Sequence, residues 1–140
     1  MKIPIKSTKG EGYIDAVFLI LIFVLLIVLV LNILSVFSVK NKLDHFAVEL
    51  AREVEIVGDV STTNSQIATK VEALRTNLNI NPDIEVLGNT IPNNGTKIQI
   101  DTPFTVVCTT PYTLGGGGFD LFTIDLAGTA TGRSEQYWKP

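Results

Sequence analysis

The bond between Gly10 and Glu11 is the part of this chain best placed for chemistry, as a substrate for hydrolysis by another protein. A peptidase must draw its substrate into an extended conformation, and the small, permissive Gly10 suits a scissile position. Lys9 holds the preceding stretch on the side where the charges are. A cut after Gly10 makes Glu11 the first residue of the product and Asp15 the fifth. Asp15 stands at the edge of 24 uncharged residues, 16–39. A carboxylate within hydrocarbon costs about 2.5–3.5 kcal/mol at a helix centre and less near an end. An ammonium freed by cleavage on a neighbouring copy would offset that cost, so Asp15 could set the axial register between copies.

Other candidate groups carry less. Cys108 is the only cysteine, which excludes an intramolecular disulfide and any zinc spacing, and it reads as an inert core thiol. His45 lies between Asp44 and Phe46 without an acid or thiol at catalytic spacing, and reads as a helix-surface histidine. The four glycines 115–118 lack the Lys-Ser/Thr and helix start of a phosphate loop, so they read as a hairpin connection. With no nucleophile–base pair, carboxylate dyad or metal cluster, the expectation is a protein that is not an enzyme and holds no cofactor or metal. Charge narrows the partners further. Past residue 10 the chain has 8 basic and 14 acidic residues, net −6, which argues against direct nucleic-acid binding through a basic face.

The elements that must position these residues begin with a long helix. The uncharged run 16–39 exceeds the roughly 20 residues that span a bilayer. Beyond it, Leu43, Phe46, Ala47, Leu50, Val54 and Val57 fall at spacings of three and four and form one stripe. Lys42, Asp44, Glu49, Arg52, Glu53 and Glu55 take the opposite side. The helix is expected to run from about Tyr13 to a stop at Gly58, on the order of 68 Å for 45 residues. A second helix is expected over about 64–78, with Ile67, Val71, Leu74 and Leu78 on one face and a Thr63/Gln66 capping box at its start. Asn79 to Pro82 should end it. The rest reads as antiparallel sheet: Ile84 and Val86; Ile98 and Ile100; Phe104, Val106, Cys108, Thr110 and Tyr112; Phe122, Ile124 and Leu126. Asn94-Gly95 is a type I′ turn signal. The fold class is therefore α+β, in three parts: a leader over 1–10, a long helix over 11–58 whose half at about 16–39 is transmembrane, and an α+β domain over 59–140. A domain of roughly 80 residues is marginal alone and gains from packing on that helix.

The order Lys2, Lys6, Lys9, Gly10, acid, apolar run is that of a class III (prepilin) signal peptide, cut on the cytoplasmic side with the apolar part retained. The start Gly10-Glu11-Gly12-Tyr13-Ile14-Asp15 and the end Gly132-Arg133-Ser134-Glu135-Gln136-Tyr137-Trp138 resemble the TadE-like pilus-assembly family, closest to uncharacterised members from mobile elements of Gram-positive bacteria. The likeness covers both ends and little of the middle. It departs from the commonest pilin pattern in having Asp, not Glu, at the fifth position and an acid at the first. The resemblance implies a pilin or pseudopilin-like subunit of a Tad/type IV-like filament or conjugation-associated machine. Its implied partners are other pilin subunits or itself, a prepilin peptidase, a membrane platform protein, an assembly ATPase acting indirectly, and the bilayer. The implied location is the cytoplasmic membrane, crossed once with the N-terminus inside and the C-terminal domain outside, then a cell-surface filament. The alternative is a signal-anchored accessory or binding module of a membrane complex that never polymerises.

Overall fold

The structure, a computed structural model, describes residues 11–92, 95–116 and 119–139, with side chains left out at 11, 12, 116 and 119–121. Two helices precede three strands: α1 Glu11–Val57, α2 Ser65–Leu78, β1 Asp83–Gly88, β2 Pro103–Gly116 and β3 Phe119–Arg133. The fold is α+β. The chain divides into two compact units between Ser35 and Val36. In the first, α1 presents side chains that are exposed all round from Tyr13 to Leu31, as expected of a run with no polar face.

In the second unit α1 is one-sided. Leu43, Phe46, Ala47, Leu50, Ala51 and Val54 are buried, and Val57 packs at the margin of the same core. Ile67, Val71 and Leu74 of α2 complete one side of that core, and Phe104, Val106 and Cys108 of β2 another. The sheet has the order β1-β2-β3 and is antiparallel throughout, with Ile84 opposite Cys108 and Cys108 opposite Gly128. Side chains alternate across it, so Phe104, Val106 and Cys108 face the core while their neighbours face out. Burial pushes the Cys108 thiol up to about 11, which makes it the inert core group its sequence context suggests.

Two local expectations need correcting. Asn64, rather than Thr63, caps α2: its side chain accepts the Gln66 N–H at 3.1 Å, while Thr63 pairs with the Ser61 hydroxyl. The segment around Ile98 and Ile100 is not a strand. It makes an isolated bridge between Lys97 and Asp59, then turns through Asp101 at φ +61°. Ile98 is buried and Ile100 is half exposed, so the alternation marks the buried side chain correctly without a ladder behind it. The Asn94 part of the turn signal lies outside the described residues. β2 and β3 pair down to Gly116 opposite Phe119, so the glycine run does serve a hairpin, with 117 and 118 outside the description.

Candidate functional site

The residues expected to matter most sit at the start of α1. Gly10 lies outside the described residues. Glu11 is the first residue of α1, and Asp15 is exposed one turn further on, immediately before the uncharged run. Past that run, Lys40 is the first charge. It forms an ion pair with Asp44 one turn on and donates to the Ala127 carbonyl at 2.6 Å. By length and composition α1 can cross a membrane, and none of its most apolar stretch is buried by the rest of the chain.

What holds the outer half of α1 is a close approach by β3. Gly128, Ala130 and Gly132 share one face of the strand, with Thr129 and Thr131 on the other. A Cβ at Gly128 would fall on the backbone of Leu43 and Asp44, and one at Gly132 would lie 2.5 Å from a Glu55 carboxylate oxygen. At Gly128 the obstacle is backbone that cannot move aside, so the strand can lie on the helix there only because the residue is glycine; at Gly132 it is the end of the Glu55 side chain and the Phe104 ring, which would have to shift. Sequence reasoning passed over this face. The signal was there, in the alternation Gly128-Thr129-Ala130-Thr131-Gly132, where small residues at every second position mark a strand built for backbone contact.

The C-terminal segment closes the end of α1. The last carbonyls of a helix have no partner within it. Here the Gly58 N–H donates to Val54 O at 2.8 Å, with Gly58 at φ +64°, and the Glu135 N–H donates to Glu55 O at 2.9 Å. Gly58 O accepts from the Ile98 N–H at 2.9 Å and from Trp138 Nε1 at 3.2 Å. Lys97 Nζ stands 3.8 Å from the centre of the Trp138 ring, and Gln99 holds the Trp138 backbone through both its amide atoms. Trp138 is thus a structural clasp, while Tyr137 beside it is exposed. Asp59 follows the helix stop. Burial raises its pKa, but hydrogen bonds from Thr96, the Ser61 N–H and Asn64, with the Lys97 charge, more than reverse this and hold it below the ordinary range. Glu49 is held low by its hydrogen bond and ion pair with Lys70 of α2.

One face of outer α1 stays uncovered: Asn41, His45, Val48, Arg52 and Ile56 recur every three or four residues and are all exposed. Val48 and Ile56 are large apolar side chains on that face. A shallow groove beside it is lined by Val48, Ala51, Arg52, Glu55, Ala130 and Thr131. Among the described residues there is no group of three or more His, Cys, Asp or Glu side chains that could hold a metal.

A membrane-anchorable helix clasped by a small α+β domain is the class of protein this arrangement defines. The family model that matches is a domain of unknown function, DUF4320, over residues 19–139, and the chain belongs to that family. The match takes in the end motif at 132–138 and begins downstream of the start motif at 10–15. No curated protein and no solved structure matches the chain. The likeness to TadE-like proteins therefore remains a resemblance of the two ends.

Proposed function

We propose that this chain is a pilin- or pseudopilin-like structural subunit, inserted in the membrane through α1 and drawn by that helix into a Tad/type IV-like filament or conjugation-associated machine. The observation that carries the reading is the division of labour along α1. Its first part offers apolar side chains in every direction, its second is clasped on one side and left bare on the other, and a lone carboxylate, Asp15, marks where the apolar part begins. A helix with that distribution can exchange lipid neighbours for copies of itself. In this reading a prepilin peptidase cuts after Gly10, and the new ammonium of one subunit pairs with Asp15 of the next in a poorly screened setting. A platform protein and, indirectly, an ATPase move the subunit. The α+β domain lies outside the cytoplasm and performs no catalysis.

The test has two arms. Co-expression with a cognate prepilin peptidase should release residues 1–10, read by intact mass, and Gly10→Val should block release. Asp15→Ala should leave membrane level and cleavage near those of the parent chain while lowering incorporation into filaments several-fold, and Asp15→Glu should retain most of it. A full-length chain in the presence of active peptidase, or unimpaired incorporation of Asp15→Ala, would replace this reading with the non-polymerising anchored module.

A further inference from the structure

β3 is one border of the sheet, and side chains of α1 reach its free edge at two places. In an antiparallel pair, successive residues point their N–H and C=O alternately at the partner and away from it. At the free edge of β3 the Arg133 N–H donates to a Glu55 carboxylate oxygen at 3.3 Å, and Ala127 O accepts from Lys40. Both positions are odd, so Thr129 and Thr131 between them also point away from β2. Among the described residues, the N–H and C=O of these two threonines have no partner. β1 is the other border. The same alternation, carried across β2 by the pairs Val106–Ala130 and Val107–Glu85, turns the backbone of Ile84 and Val86 outward, again without a partner among the described residues. An open edge is a template for another strand, and charges or prolines commonly blunt it. Leu126 to Gly132 carries neither.

Spacing decides which strand can pair there. Adjacent strands lie about 4.8 Å apart, while packed helices need about 8–10 Å. α1 lies directly on β3, since a Cβ at Gly128 would meet the Leu43 backbone. A second β3, paired antiparallel with the first, would set odd positions opposite odd positions, all on the exposed face. The two α1 helices would then lie over neighbouring strands on one side of the sheet, and collide. β1 avoids this. Its outward-pointing residues are Ile84 and Val86, whose side chains pack on the core, so antiparallel pairing with Thr129 and Thr131 joins its core face to the exposed face of β3. The second copy is thereby turned over, with its helices on the side away from α1. That orientation aims its exposed Asp83, Glu85 and Leu87 at the groove between β3 and the bare face of α1. The two surfaces match. The bare face holds Arg52 and no acid, while β1 holds two acids and no base. Large apolar side chains stand exposed on both, Val48 at 57% and Leu87 at 51%.

We infer that the free edge of β3 takes β1 of a second copy of this chain, antiparallel and turned over, with Glu85 of one copy at Arg52 of the next. The two edges differ, so the contact is head-to-tail and each added copy presents a fresh β3 edge. The inference uses residues of the second unit alone and is independent of leader cleavage, of Asp15 and of membrane insertion.

The experiment follows the size of the full chain in detergent by sedimentation velocity over a concentration series, with near-ultraviolet circular dichroism as the check on folding. Thr129→Pro deletes an outward N–H and spares the ladder to β2, a position where an edge strand accepts proline. Glu85→Arg sets a cation against Arg52. The parent chain should form a series of sizes that grows with concentration, and each variant alone should associate several-fold more weakly. An equimolar mixture of the two should form dimers and nothing larger, because one variant keeps a working β3 edge and the other a working β1. The double variant Arg52→Glu, Glu85→Arg involves no proline and should recover association. A parent chain that stays monomeric overturns the inference, as do sizes indifferent to both single substitutions, which assign self-association to another surface. A mixture that stays monomeric, or a double variant that does not recover, overturns the pairing of β1 with β3. Association of Glu85→Arg at the parent level, with Thr129→Pro impaired, gives the β3 edge to a different strand.

Discussion

The two halves of α1 share one backbone geometry and opposite fates. Over 16–35 the side chains are apolar on every side and, apart from half-buried Asn32, exposed; over 43–57 they are apolar on one stripe, and that stripe is buried. A stripe can be satisfied by one partner, and the sheet with α2 is that partner. A helix apolar all round needs partners in every direction, which lipid supplies and a domain of this size cannot. The difference teaches that stability in this protein is local to the C-terminal half of α1, while the N-terminal half answers to its solvent. Changes of the same kind should therefore have unlike effects in the two places.

The largest expected effect is at Gly128. A Val there would overlap the Leu43 backbone, so β3 must leave α1. We predict a loss on the order of 4 kcal/mol or more, at the extreme of single substitutions. Urea unfolding of the full chain in detergent, followed by near-ultraviolet circular dichroism, should find the second unit largely unfolded; a native transition would mean that the glycine contact is dispensable. Next is a matched pair. Leu50→Ala, at a fully buried site, should cost about 2–5 kcal/mol, and Leu25→Ala within the apolar run less than about 0.5 kcal/mol by the same assay. Equal costs would erase the comparison between the two halves.

The clasp sharpens where the stable half ends. Trp138→Ala removes a hydrogen bond to Gly58 O and the stacking of Lys97, and should cost about 1–2 kcal/mol. Tyr137→Ala, exposed next to it, should stay within about 0.5 kcal/mol. The smallest effect is the pH dependence. Asp59 has a pKa below its ordinary 3.8 when folded, so the unfolded chain binds more protons in that range. Its contribution is complete above about pH 5 and is lost as pH falls through about 4 and lower. Glu49 acts in the same direction through Lys70. Asp59→Asn should lower stability at neutral pH and flatten the acid limb of the stability curve; an unchanged acid limb would remove Asp59 from the account.

Much of the outer half was legible because the helical period carries its own partner requirement. The buried stripe from Leu43 to Val54 and the three buried positions of α2 follow from spacing, and the stop at Gly58 from glycine's tolerance of a positive φ. The cap of α2 moved by one residue because Thr63 and Asn64 are both competent, and the neighbouring Ser61 hydroxyl took Thr63. Ile98 and Ile100 alternate like a strand, yet the chain turns at 99–102, with the Thr102 N–H on Gln99 O. Alternation states which side chains share a face and says nothing of whether a ladder partner exists. At the candidate site, Gly10 lies outside the described residues, and the roles of Glu11 and Asp15 depend on a peptidase and on neighbouring copies.

By itself the sequence determined a membrane-length apolar helix, its continuation as a one-sided stripe, an acidic balance in the rest of the chain and an α+β class, because each depends on composition or on spacing along a single element. Tertiary structure decided the rest. It set Gly128 against the helix backbone and Gly132 against the Glu55 side chain, used Trp138 and Glu135 to close the carbonyls at the end of a helix 80 residues away in the chain, and left an amphipathic arm beyond the last paired residue of β1. Those are contacts between elements far apart in sequence. Their cause is the shape of the facing surface, which no local pattern carries.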